Sequence, residues 1–352
     1  MASANITSGR ESPLIKGLLM AAAGGNTDKR IAETLPINFT LEDQSMYAGN
    51  IRTLPTAQAY GDSRVVGTGA LKRAGTQPYY DLTRERSFGA TAYECVERSG
   101  KVTVTEQDQL RTLNEARSGL QMRKSRVLQL LTGIRDDFEY DVLSSVFSTS
   151  VFPNAAIGAL TGGAQVAWTG AASSPSRDKA AVDAITRTAC GETPTFACIT
   201  WDVLNALRYH AETLGVSRVT SGAAIPVDNG RTLWKLSDVL AKWADLWELK
   251  DGLFPVRAQR NSANPNQTAV LADMVTGKIA FHTANGLMNA QQIEKDVEIL
   301  GGVQSIVCVQ EFAPRGYEFQ MEDPVGVKII AARSYDIVAP NTGGAYILTG
   351  VV

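Results

Sequence analysis

Thr105-Glu106-Gln107-Asp108, and the apolar or small residues that recur after it at Leu110, Leu113, Ala116, Leu120, Val127, Leu131, Ile134, Phe138, Val142 and Val146, decide how this chain reads. The steps are of three, four or seven residues, the signature of an α-helix with one apolar face. Thr105 offers a hydroxyl N-cap, with Asp108 three positions on and Glu106 adding acid to the first turn. Unbroken to Ser148, such a helix has about 44 residues and a length of about 65 Å. Gly119 and Gly133 are the positions where it would bend into two segments. Arg and Lys fill the opposite face, so the stripe of Leu113, Leu120, Val127, Leu131, Ile134 and Phe138 is expected to lie against a sheet.

Upstream of the helix, residues 58–100 carry strand signals around a break at Ala74-Gly75-Thr76-Gln77-Pro78. They are rich in Gly, Thr and Arg and poor in large aliphatics. Two strands without a hydrophobic face bury too little to stand alone, so this hairpin is expected to project and find its partner elsewhere. Residues 1–57 sustain neither period. They read as an arm whose backbone must be satisfied on something else, in cis or on a neighbouring chain. The broken apolar run Leu14 to Ala23, interrupted by Lys16 and Gly17, reads as a short helix rather than a secretory signal.

Downstream, Pro153 to Ser176 is a Gly/Ala/Ser/Pro connection anchored by Trp168. Helices are expected over Lys179 to Cys190, Trp201 to His210 and Leu236 to Trp247. Strands are expected over Thr195 to Thr200, Lys250 to Arg260, Ala269 to Leu271, Lys278 to His282, Ser305 to Glu311, Tyr317 to Met321, Val325 to Arg333 and Tyr346 to Val351. The fold class is therefore α+β. The chain divides into an arm at 1–57, a hairpin at 58–100, a long helix with the first part of its domain at 101–176, a second α+β domain at 177–318, and returning strands at 319–352.

The 352 residues are 44% apolar and 20% charged, which suits a folded chain with a sizeable core. Lys and Arg total 34 against 36 Asp and Glu, so no global charge draws the chain to nucleic acid or to an anionic membrane. Gly67-Thr68-Gly69-Ala70-Leu71-Lys72 has Lys72 where a dinucleotide fingerprint needs its third glycine, and Gly75 and Pro78 stop any helix behind it. It reads as a glycine-kinked strand, and no cofactor is expected. Cys95, Cys190, Cys198 and Cys308 contain no C-x-x-C pair, and His210 and His282 lie far apart, so neither metal spacing nor a nucleophile–base motif is present. The cysteines read as reduced, buried thiols. His210 is expected to cap a helix end, and His282 to sit in an apolar strand. Asp136 and Glu139 share a helix face and are expected to form a solvated charged stripe. Catalytic, cofactor and metal residues are accordingly none. Arg64, Lys72, Arg73, Arg84 and Arg86 concentrate in the hairpin and are the candidate assembly contacts.

The order of these parts, arm, projecting hairpin, very long helix, α+β domain and returning strands, resembles the major capsid proteins of tailed bacteriophages, whose fold is shared with encapsulins and the herpesvirus capsid floor. The resembling stretches are Tyr79-Tyr80-Asp81 through Glu97, leading via Val102-Thr103-Val104-Thr105 into Glu106-Gln107-Asp108; Asp178 to Ile199 leading into Trp201-Asp202-Val203-Leu204-Asn205-Ala206-Leu207; and Tyr346-Ile347-Leu348-Thr349. None is a diagnostic motif alone. In that family the parts are called N-arm, extended loop, spine helix with peripheral domain, and axial domain. The resemblance implies an icosahedral head shell built from hexamers and pentamers of this chain around double-stranded DNA contacted without specificity. It also implies a portal, a separate scaffolding protein and a decoration protein as partners, no membrane, and location in a virion assembled in the host cytoplasm. Residues 1–57 are too few for a fused scaffolding domain. An encapsulin-like nanocompartment holding a cargo enzyme is the alternative, and an α/β enzyme without a recognisable site is the remaining one.

Overall fold

The computed structural model describes residues 10–11, 30–41, 47–53, 89–108, 110, 119–157, 167–170, 173–214, 236–261, 268, 271–284, 291–293, 296–322 and 325–352. Its architecture is α+β, with two main sheets that meet at the end of one long helix.

Thr105 caps a helical start, since its Oγ1 accepts the Asp108 N–H at 3.2 Å and donates to the Asp108 carboxylate at 2.8 Å. Residues 106–108 and 110 are helical, and the long helix is then described over Gly119–Val146. Its apolar stripe lies on the first sheet as the period requires: Val127 and Leu131 are buried against Ile329 and Ala331, with Leu130, Ile134 and Val327 at the margin. Helix and sheet approach closely at Gly100, where a Cβ would stand 2.5 Å from Leu130 Cδ1. A Cβ there would force the Leu130 side chain to move.

The first sheet is dominated by a long antiparallel ribbon of Val307–Glu322 and Val325–Val338, flanked by Val96–Thr105. Arg10–Glu11 adds antiparallel at Tyr317 and Glu318, and Asn38–Thr40 adds parallel beside Cys308, Val309 and Gln310. The expected strands Ser305 to Glu311 and Tyr317 to Met321 are thus one strand with irregular register between Gln310 and Arg315. The expected division at 318/319 falls inside it. The division at 176/177 likewise falls inside the helix Pro175–Cys190, which starts on a proline whose missing N–H costs nothing and ends on Gly191 at φ 82°.

The second sheet runs in the order Asn154–Ala156, Ala345–Thr349, Lys278–His282, Phe196–Thr200, Gly252–Val256. The last of the returning strands expected at 319–352 does not join the sheet under the long helix. It pairs here instead, antiparallel to Lys278–His282, because its residues are buried on both sides and need a sheet covered on both faces. Alternation shows the two faces. Ala197, Ile199, Ile279, Phe281, Tyr346 and Leu348 meet the helices Pro175–Cys190, Trp201–Tyr209 and Leu236–Leu246. Phe196, Cys198, Ala280 and Ile347 meet Phe138, Val142, Val146 and the arm residues Ile31, Ala32, Leu35 and Ile37. The expected strand Lys250 to Arg260 divides into Gly252–Val256 and Gln259–Asn261, the latter paired with Leu271–Asp273 in a separate ribbon.

A third sheet joins Gln291–Ile293, Asp296–Gly302, Ala48–Thr53 and Gly89–Glu94. It and Asn38–Thr40 show that the described part of the arm is satisfied in cis, through parallel pairings with strands some 250 positions away along the chain. Residues 54–88, which hold most of the expected hairpin, lie outside the described residues, as does Leu14 to Ala23.

Truncating Leu131 to Ala should cost about 2–5 kcal/mol, because the cavity would open between helix and sheet. Leu131→Asp should abolish folding, while Arg126→Asp on the exposed side of the helix should change stability by under about 0.5 kcal/mol. Denaturant unfolding of the purified chain measures all three, and equal damage from Leu131→Asp and Arg126→Asp would refute the face assignment.

Candidate functional site

A dense polar constellation among the described residues is the seat of the arm on the long helix. Glu139 is 2% exposed. Its two carboxylate oxygens accept the backbone N–H groups of Ile31 at 3.0 Å and Ala32 at 2.8 Å, capping a turn closed by the Leu35 N–H on the Ile31 carbonyl. Arg30 pairs with Asp136 at 2.7 Å. Glu33 receives Arg135 at 3.4 Å and the buried Arg333 at 3.2 Å, and Arg333 also donates to the Gln310 side chain at 3.0 Å while lying 3.3 Å over the Phe138 ring. Three arginines thus face three carboxylates. Burial pushes the Glu139 carboxyl above the usual range, opposed by the two amides and by Arg30. Burial likewise lowers Arg333, opposed chiefly by Glu33.

The expected solvated stripe is therefore corrected. Asp136 is half-exposed, but Glu139 is interior. The signal was present in the sequence: Leu143 and Val146, at i+4 and i+7, bracket Glu139 on the helical wheel and put it inside the buried face of the last turns. The stripe as expected omitted Leu143 and Phe147, both buried, and so left Glu139 looking peripheral.

His210 ends the helix Trp201–Tyr209 as expected, its N–H on the Leu207 carbonyl. Its ring is buried rather than free. Nδ1 accepts the Glu212 N–H at 3.2 Å, so Nε2 carries the proton and donates to Ser173 Oγ at 2.9 Å, and Ser173 passes its own proton to the Gly170 carbonyl. A general base would need that pair the other way round. The ring borders a surface hollow of about 500 Å³ lined also by Trp168, Asp202, Asn205 and Tyr209. Asp202 is already committed there to the N–H groups of Val203 and Gly277. Trp168 is the anchor expected of its connection, buried with its indole N–H on Asp178 at 2.8 Å.

His282 is wholly buried at the end of its strand. Its Nε2 lies 3.0 Å from the carbonyl of Val146, in the last turn of the long helix, and its Nδ1 lies 3.1 Å from Ser305 Oγ. The four cysteines are free and buried, and burial raises every thiol, Cys95 and Cys308 to about 12. Among the described residues no three His, Cys, Asp or Glu side chains stand together as a metal set, and no helix is long and apolar enough to cross a membrane. Arg64, Lys72, Arg73, Arg84 and Arg86 lie outside the described residues.

No family model and no curated protein sequence matches the chain. Its structure does match solved ones over its full length. A phage-related protein from Bordetella bronchiseptica superimposes over 98% of this chain and 99% of its own, at 14% identity and a TM-score of 0.60. The chain has the fold of that protein. A virus-like particle from Pyrococcus furiosus matches over 95% of this chain and 98% of its own, at 11% identity and a TM-score of 0.52. The observed architecture is the expected α+β one, and the likeness extends over nearly the full length of both matched chains.

Glu139→Gln should destabilise the chain by about 1–3 kcal/mol, because the amide keeps one acceptor and turns a donor toward the second backbone N–H. Glu139→Ala should cost more, since both amides are then orphaned. Thermal unfolding of the two variants beside the parent chain checks the order.

Proposed function

We propose that the chain is a structural protein that self-assembles into the icosahedral head shell of a tailed bacteriophage and encloses its DNA. The observation that carries this reading is the end-to-end likeness in fold to a protein whose solved form is a virus-like particle, supported by the likeness to a phage-related protein. The physics of the chain is compatible with it. Near-balanced charge suits a wall facing packed DNA, since a strongly basic inner face would hold the genome fast. Of the expected hairpin, residues 89–100 are paired within the chain and bury Tyr93 and Cys95; in this proposal the polar stretch 58–88 is the part satisfied by a neighbouring subunit, with Arg64, Lys72, Arg73, Arg84 and Arg86 contacting acidic surfaces there. Hexamers and pentamers of the chain, a portal, a separate scaffolding protein and a decoration protein complete the proposed virion, assembled in the host cytoplasm. The role is structural, and no catalytic step is assigned to it.

Negative-stain microscopy of the purified chain tests the reading: closed shells of uniform diameter carrying nuclease-protected nucleic acid are expected. A monodisperse small species at high concentration would overturn it, and shells that copurify with an enzyme instead would identify a nanocompartment. Deleting Val66 to Tyr79 should leave a soluble, folded chain that makes no shells. Normal particle yield after that deletion would remove the hairpin from the assembly contacts.

A further inference from the structure

Arg257 follows the strand Gly252–Val256, and its guanidinium lies 4.2 Å over the ring of Trp201, the first residue of the helix Trp201–Tyr209. Its Nε is sealed from solvent without an acceptor. Among the described residues its two terminal NH2 groups take part in no hydrogen bond or ion pair, and they stay open to solvent. Asp202, beside Trp201 in the chain, does not answer it, because its carboxylate accepts the N–H groups of Val203 at 2.9 Å and Gly277 at 2.6 Å. Arg135 and Arg333, which also enter the interior, close on Glu33. Arg257 departs from that pattern. A cation half withdrawn from water without a counter-charge is costly, and the plane of this one is already fixed by the indole beneath it.

We propose that Arg257, stacked on Trp201, is a receptor for a surface carboxylate of a second copy of this chain. The inference rests on the shell reading above and adds a named contact to it. A planar fork held on an aromatic face loses little freedom on binding, and it offers parallel N–H donors to both oxygens of one carboxylate. Binding also supplies the counter-charge that the half-buried group lacks. A second copy brings such carboxylates: Asp137, exposed on the long helix, makes no ion pair among the described residues. A nucleic-acid backbone fits the site less well, because phosphate binding grows with the number of cations in line. The next cation on this segment, Arg260, lies 4.9 Å over Tyr140 of the long helix, whereas Trp201 packs on the cluster of the second sheet's outer face. The two guanidinium groups therefore serve different surfaces, and Arg257 stands alone on its own.

The test joins shell formation, followed by light scattering, to cross-linking. Arg257→Gln should need at least about tenfold more protein than the parent to form shells, while the thermal midpoint of the dispersed chain moves by under about 2 °C. Arg257→Lys, which keeps the charge but not the planar fork, should fall between the two. Shells of isotopically light parent chain, doped with a heavy copy carrying a photoreactive benzophenone side chain in place of Arg257, should yield heavy-to-light cross-links to peptides containing Asp or Glu. If Arg257→Gln melts well below the parent, the cross-link decides alone. Shell formation by Arg257→Gln at the parent's concentration, Arg257→Lys indistinguishable from the parent, or cross-links confined to one copy or made to nucleic acid would each overturn the proposal and leave the shell reading standing. A parent chain that forms no shells would overturn both.

Discussion

The carboxylate of Glu139 stands where the long helix, the first sheet and the arm meet, and it holds the two amides that start the Ile31–Leu35 turn. Those buried N–H groups take the Glu139 carboxylate as their acceptor, and orphaning each would cost about 1–3 kcal/mol. With the turn fixed, Ile31, Ala32, Leu35 and Ile37 fill the space between Phe138, Val142 and the second sheet. The chain then leaves in register to add Asn38–Thr40 beside Cys308, Val309 and Gln310. Without that plug, the helix and the two sheets would enclose a void. Arg135 and Arg333 close on Glu33, so these two cations meet opposite charge where Glu139 meets backbone amides.

The second sheet depends on this seat as well. Its inner face meets the arm and the end of the long helix, and its outer face meets three helices and the Trp168, Trp243 and Trp247 cluster. A sheet covered on both faces cannot slip by one residue without exchanging two sets of apolar side chains.

What the sequence disclosed was whatever repeats locally. The stripe through Val127, Leu131 and Phe138, the Thr105 cap, the Trp168 anchor and the strands around Thr195 to Thr200 and Lys278 to His282 all rest on periods or caps a few residues long. The arm was legible only as a segment needing a partner, because its partners are Glu139, Gln310 and Arg333, at separations of about 100 to 300 positions. Ala345–Thr349 was legible as a strand but not as a member of the second sheet, since a wholly apolar strand does not say which sheet it completes. Glu139 was misread because a charged side chain outweighed the apolar neighbours that bracket it. His282 was placed correctly in its strand, but the helix end it caps lies 136 residues earlier.

The central claim is that the arm turn belongs to the core and not to the surface. Native-state hydrogen exchange of the Ile31 and Ala32 amides tests it most directly. They should exchange only with the global opening that exposes the buried half of the long helix, at rates matching the amides of Val142 and Leu143. Exchange as fast as exposed loop amides, while that half of the helix stays protected, would contradict the account.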